Sequence, residues 1–196
     1  MDTEIEATFT NVNPEEIRKR LLNLGAKLRQ SERLMRRKNY DYPDGRLDKI
    51  NGWIRLRDEA DKVTLAYKQL NDRTIQGTKE VSVTVGDFER TANFLTVIGL
   101  EMKSYQETKR ESWTIGETEI EIDTWPWIPP FVEIEGKDEE TVQQVANDLG
   151  FDWKDAKHGS VENIYQEVFD VTEAEVDAWD TITFSPVPEW LEKRRK

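Results

Sequence analysis

The strongest constraint is a two-residue alternation that sorts side chains by polarity and then by sign. In 2–9, Glu4, Glu6 and Thr8 fall on one side of an extended chain, and Ile5, Ala7 and Phe9 on the other. Segment 52–58 sets Arg55 and Arg57 against Ile54 and Leu56, and 62–69 sets Thr64, Ala66 and Lys68 against Val63, Leu65 and Tyr67. Segment 78–85 sets Glu80, Ser82 and Thr84 against three valines. In 117–124, Glu117, Glu119, Glu121 and Asp123 oppose Thr118, Ile120 and Ile122; in 130–136, Glu133 and Glu135 oppose Val132 and Ile134. Carboxylates gather on three of these segments and cations on others, whereas a surface built only for solubility intersperses the two signs.

With 28–41 and 105–114, the alternating segments predict eight strands. Turn chemistry at Asp44-Gly45, Asp58 to Asp61, Asn71-Asp72 and Ile115-Gly116 implies antiparallel neighbours. Three helical patterns interrupt them. One follows Asn13-Pro14-Glu15-Glu16 and carries Ile17, Leu21 and Leu22; the others start near Asp87 and Asp138. Each ends on an apolar residue and a glycine: Gly25, Gly99 and Gly150. The expectation is an α+β fold with a sheet of a size that can close into an eight-stranded antiparallel β-barrel with flanking helices.

Two arrangements satisfy this pattern. An open sheet would pack its apolar side on the helices and leave its charges in water. A closed one would turn the ionic side inward, where so many charges are costly unless a metal and a polyanion neutralise them. Clustered carboxylates suit Mg²⁺ or Mn²⁺, and arginine and lysine opposite them suit phosphate oxygens.

Composition narrows the chemistry. The 196 residues fit one domain, here 1–169, with a C-terminal extension at 170–196. The formal charge of −12 argues against duplex nucleic acid as a partner. Absence of cysteine excludes disulfides, thiolate nucleophiles and iron–sulfur clusters, and the single His158 excludes multi-histidine metal sites. No segment has the length and apolarity of a membrane span, and the N-terminus lacks a secretion signal, so a cytoplasmic protein is expected. Thr172 to Trp179 reads as a short helix, and the closing Lys193-Arg194-Arg195-Lys196 as a frayed, solvated end.

Several motifs occur in an order that resembles the CYTH superfamily, the triphosphate tunnel metalloenzymes. Glu4-Ile5-Glu6-Ala7-Thr8 resembles its Glu-x-Glu-x-Lys signature, and Asn39-Tyr40-Asp41-Tyr42-Pro43-Asp44 its Tyr-Phe-Asp-Thr-Pro-Asp stretch. Trp53-Ile54-Arg55-Leu56-Arg57, Val63-Thr64-Leu65-Ala66-Tyr67-Lys68 and Lys109-Arg110-Glu111-Ser112-Trp113 resemble its basic strands. Ile120-Glu121-Ile122-Asp123 and Phe131-Val132-Glu133-Ile134-Glu135-Gly136 resemble its acidic ones, and the match runs over about 2–165.

The resemblance implies a β-tunnel with a triphosphate inside. By position, Glu4, Glu6, Glu133 and Glu135 would ligate metal, with Asp123 and Glu121, or Glu119, beside them. Glu4, Glu6 and Asp123 would carry catalysis; Arg55, Arg57, Lys68, Arg110 and, by a looser match, Lys157 would bind phosphates. The implied cofactor is Mg²⁺ or Mn²⁺. The implied function is hydrolysis of inorganic triphosphate or of an organic triphosphate such as ATP or thiamine triphosphate. Cyclisation of ATP to cyclic AMP by a class IV-type adenylyl cyclase is the alternative, and the resemblance permits a homodimer.

Two positions depart from the family pattern. Thr8 replaces the signature lysine, and Ser82 stands where many members carry a glutamate, so a module that binds nucleotide or polyphosphate without turnover is a third reading. Thr124 to Pro130, with Trp125 and Trp127, reads either as packing or as a stacking platform at a tunnel mouth. Tyr40, Tyr42 and His158 read as structural residues.

Overall fold

The computed structural model describes all residues, 1–196. The N-terminal segment forms two short strands, β1 (Asp2–Thr3) and β2 (Glu6–Phe9). The long strands β3 (Lys27–Asp41) and β7 (Glu101–Ile115) form the spine, flanked on one side by β4 (Gly52–Asp58), β5 (Val63–Leu70) and β6 (Thr78–Val85). On the other side lie β8 (Thr118–Thr124) and β9 (Phe131–Glu135). The order is β1-β6-β5-β4-β3-β7-β8-β9-β2, with every neighbouring pair antiparallel.

The two ends of that order are one continuous piece of chain. β1 pairs with β6 while β2 pairs with β9, so the N-terminal segment joins both edges of the curled sheet. At the break, the Glu4 amide donates to the Thr78 carbonyl (3.0 Å) and the Ile5 carbonyl accepts from the Gly136 amide (3.0 Å). Counted as one strand, 2–9 makes the eight-stranded barrel that the alternation implies. The sequence reading of 2–9 as unbroken is corrected at Glu4-Ile5, because one segment must serve two edges that diverge. The seam on the β6 side has only two register pairs, Asp2 with Glu80 and Thr3 with Lys79, and the edge of β6 away from β5 has no strand beside it beyond Glu80.

Closure puts the apolar side outward, under helices. Ala7, Ile134, Ile120 and Trp113 form one row across four strands. That row is covered by α1 (Pro14–Asn23), through Ile17 and Leu21, and α3 (Glu139–Asp148), through Val142, Val145 and Ala146. On the opposite side α2 (Phe88–Val97) buries Phe88, Ala92 and Leu95 against Tyr40 and Leu56. Asn13, Asp87 and Asp138 cap these helices by accepting from Glu15, Arg90 and Thr141 amides, each bond contributing about 1 kcal/mol. Gly25, Gly99 and Gly150 follow with positive φ (73°, 97° and 81°), a conformation that ends a helix at little cost only in glycine.

The tail builds a further cluster at one end of the barrel. α4 (Glu162–Val168), α5 (Glu173–Asp177), β10 (Thr181–Ile182) and α6 (Glu189–Glu192) surround Trp125, Ile128 and Phe131 with Ile164, Tyr165, Phe169, Val176, Ile182 and Leu191. β10 pairs in parallel with β7. α4 was not legible in the sequence: it is only about two turns long and its start, Val161, offers no capping side chain. The frayed terminus is corrected. Arg194 pairs with Glu175 (2.8 Å), and the Lys196 amide donates to the Val168 carbonyl (2.9 Å). No helix is long and apolar enough to cross a membrane.

Candidate active site

Register alone assembles an acidic wall. Glu6, Glu135 and Glu119 stand in one row across β2, β9 and β8; Thr8, Glu133, Glu121 and Ser112 make the next; Asp123 and Arg110 lie in the third. Burial deepens along these strands. Glu119 and Glu135 reach solvent, Glu121 and Glu133 are half-buried, and Asp123 is 1% exposed. Phe131, next to Asp123, already lies in the cluster with Trp125 and Tyr165. The lumen is therefore open at the Glu119–Glu135 end and closes towards Asp123.

A basic wall faces it from β3, β4 and β5. Arg37 stands directly opposite Arg57, Asn39 opposite Arg55, and Lys68 opposite Glu80. Ion pairs hold most of these cations. Lys68 Nζ lies 2.7 Å from Glu4 and 3.0 Å from Glu80, Arg55 lies 3.3 Å from Glu80, and Arg57 lies 2.8 Å from Glu59. On β7, Arg110 grips Asp123 with two nitrogens and reaches Glu133 at 2.6 Å. Every sequence-predicted lumen residue named so far shares this interior, Glu119 at its mouth.

The acidic side is electrostatically unsatisfied. Burial, then Glu133, pushes Glu6 up to about 8. Burial raises Glu121 to about 7, against the pull of Arg110. Glu135 is also raised to about 7 by the low-dielectric wall behind it and then by Glu4 and Glu119. Burial works against ionised Glu80 too, but Lys68 and Arg55 bring it down to about 2. The difference follows from cation proximity.

An all-oxygen donor set of this charge fits a hard divalent cation such as Mg²⁺ or Mn²⁺. Glu121 adds a specific sign: its buried Oε2 has no hydrogen-bond partner. In this conformation no three acidic groups converge on a single point, because Lys68 and Arg110 engage several of them. Glu4, Glu6, Glu121, Glu133 and Glu135 are the residues that could turn to hold a cation.

Lys157 occupies a different place. Its backbone pairs with Thr8 (2.9 and 3.0 Å), and it lines a small recess with Thr8, Glu133 and Ser160. Its ammonium pairs with Glu167, so it does not join the basic wall. His158 bonds through Nδ1 to the Glu6 carbonyl (3.2 Å) and sits beside Trp153, a structural position. Trp125 is buried and Trp127 Nε1 donates to the Ser185 carbonyl (2.8 Å), so the aromatic stretch packs under the tail. Tyr40 packs under α2, with Tyr42 against the same cluster.

Two lumen residues escaped the sequence reading. Glu59 sits in the β4–β5 turn yet is buried, accepting from Thr64 Oγ1 (2.8 Å) as well as from Arg57. Assigning 58–61 to turn chemistry hid it. Arg37 could have been found by applying the alternation to 28–41, which puts Arg33, Met35, Arg37 and Asn39 on one side.

The sequence matches the CYTH domain model over residues 3–161. No curated protein matches it. Among solved structures, PH1012 from Pyrococcus horikoshii aligns at 20% identity with a TM-score of 0.68, covering 82% of this chain and 98% of that one. A candidate adenylate cyclase from Vibrio parahaemolyticus aligns at 16% identity with a TM-score of 0.72, covering 84% and 98%. A candidate adenylyl cyclase from Hippeastrum, HpAC1, whose dominant activity is triphosphatase, aligns at 13% identity with a TM-score of 0.57, covering 82% and 91%. At these identities the likeness is one of fold.

Proposed function

The chain belongs to the CYTH domain family, and from that premise we propose that it is a metal-dependent triphosphatase acting on inorganic triphosphate or an organic triphosphate held in the tunnel. The observation that carries the reading is the division of one enclosed lumen into a wall of glutamates and a wall of arginine and lysine. Arg55, Arg57, Lys68 and Arg110 would bind phosphoryl oxygens, exchanging their present carboxylate partners for the ligand. Glu4, Glu6, Glu133 and Glu135, with Glu121, would hold Mg²⁺ or Mn²⁺. That cation would neutralise phosphoryl charge and lower the pKa of an attacking water. Asp123 orients Arg110 in this scheme, since both its oxygens are engaged by that guanidinium.

Phosphate release from tripolyphosphate, ATP and thiamine triphosphate, with Mg²⁺, with Mn²⁺ and with chelator, tests the proposal. Metal-dependent release from at least one of them is expected; none with any metal refutes turnover. A second reading, a tunnel that binds polyphosphate without hydrolysing it, is favoured by Thr8. That side chain is buried next to Glu133 and supplies no charge where the family signature has lysine. Binding without release would select it. Assaying cyclic AMP in the ATP reactions separates cyclisation from hydrolysis.

A further inference from the structure

Arg37 is a buried lumen cation with no ion pair to a carboxylate; Arg33, in register with Arg110, has none either, but it is held by the Glu59 and Arg110 carbonyls and by Ser112 Oγ at 3.0 Å. Its residue is 9% exposed, and its partners are a single contact from Nη2 to Thr108 Oγ1 at 3.4 Å and the face of Trp125, 4.5 Å from its guanidinium carbon. Its Nε has no partner. By contrast, Arg55, Arg57, Lys68 and Arg110 each lie within 3.3 Å of an acidic oxygen.

Its position compounds the cost. Arg37 stands directly across the β3–β4 ladder from Arg57, and like charges in direct register destabilise a sheet. Burial, followed by the fields of Arg55, Arg57 and Arg110, depresses its proton affinity well below the usual arginine value. An unmatched buried guanidinium is costly, and the polar groups of a ligand entering the lumen would relieve that cost. Stacking on Trp125 fixes the plane of the guanidinium, so its N–H groups are oriented before a ligand arrives.

We propose that Arg37 binds a phosphoryl oxygen of the tunnel's polyphosphate ligand, as a fifth cation beside Arg55, Arg57, Lys68 and Arg110. The assignment rests on the polyphosphate reading of the tunnel and deepens it. Because Arg37 lies among the buried residues next to Trp125, away from the open Glu119–Glu135 end, it would take the phosphoryl group that penetrates furthest.

The test is calorimetric titration of the full chain with sodium tripolyphosphate and Mg²⁺, on wild type, Arg37→Met and Arg37→Lys, with melting curves of each protein alone. Methionine retains apolar contact with Trp125 but removes the charge. Arg37→Met is expected to bind at least tenfold more weakly and, without ligand, to melt at the wild-type temperature or above it. Arg37→Lys is expected to recover part of the lost affinity. Wild-type affinity in Arg37→Met overturns the assignment while leaving the tunnel reading intact. A lower melting temperature in Arg37→Met, with no affinity recovered in Arg37→Lys, overturns it in favour of a structural role under Trp125. No binding by wild type defeats the underlying reading itself, a result distinguishable from both.

Discussion

Glu6 and Glu135 face one another across the β2–β9 ladder, two carboxylates in direct register on the lumen side of the strand that closes the sheet. Burial, then Glu133, raises Glu6 to about 8, and burial, then Glu4 and Glu119, raises Glu135 to about 7, so part of this wall is protonated at neutral pH in the metal-free protein. Burying carboxylates this close to others of like charge opposes folding unless a cation or protons neutralise them.

Glu6→Gln is therefore expected to stabilise the metal-free protein while abolishing metal-dependent turnover. Relief of one like-charge contact, at about 1 kcal/mol, corresponds to a rise of roughly 2–4 °C for a chain of this size. Melting curves in chelator and initial rates in Mg²⁺ check both halves. A large fall in melting temperature would mean that Glu6 is bound by partners other than its acidic neighbours.

Stability should depend on pH in a direction opposite to that of a salt-bridged carboxylate. Glu6, Glu121 and Glu135 have folded-state values above the ordinary 4.5. Their contribution is fully present below the unfolded value and is lost as pH rises through about 7 to 8. Metal-free protein should thus lose stability as pH rises from the ordinary 4.5 to about 8 and level off above it, by an amount on the order of a few kcal/mol, and Mg²⁺ should restore it. Glu80, held at about 2, works the other way, its contribution being lost as pH falls from the ordinary range towards 2. Chemical denaturation at stepped pH measures this, and a flat profile with chelator between about pH 5 and 8 would refute it.

Lys68 is the single ammonium between Glu4 and Glu80. Lys68→Met leaves both carboxylates without it in a half-buried site. A loss on the order of 3 kcal/mol is expected, since stranding a partner costs more than the pair itself contributes. Denaturant melts give the number, and Lys68→Met with Glu80→Gln should recover part of it.

Arg57→Ala should weaken tripolyphosphate binding much more than Mn²⁺ binding, because Arg57 sits on the basic wall and pairs with Glu59, not with the carboxylates around Glu6. Separate titrations with each ligand make the comparison. Equal losses would remove Arg57 from the phosphate role.

The alternation made most of this legible. It placed Glu6, Arg55, Arg57, Lys68, Glu121, Glu133 and Glu135 on the correct side of their strands, because register and pleat alone decide which way they face. Whether that side faced water or a lumen depended on closure. Closure rests on hydrogen bonds from Glu4 and Ile5 to opposite edges, contacts more than 70 and 130 residues away along the chain. Period-two patterning carries no trace of them. Glu59 was hidden for a related reason, since turn residues have no assigned side until their neighbours are packed. The pairing of Lys157 with Glu167 depended on α4, a short helix without a capping signal.

The most direct measurement is a crystal structure of the protein grown with a non-hydrolysable triphosphate analogue and Mn²⁺, with anomalous data collected for the metal. The account predicts an anomalous peak inside the lumen at roughly 2 Å from oxygens of the Glu4–Glu6 and Glu133–Glu135 carboxylates, and phosphate density against Arg55, Arg57 and Arg110. Manganese bound only on the outer surface, with no analogue between the acidic and basic walls, would contradict it.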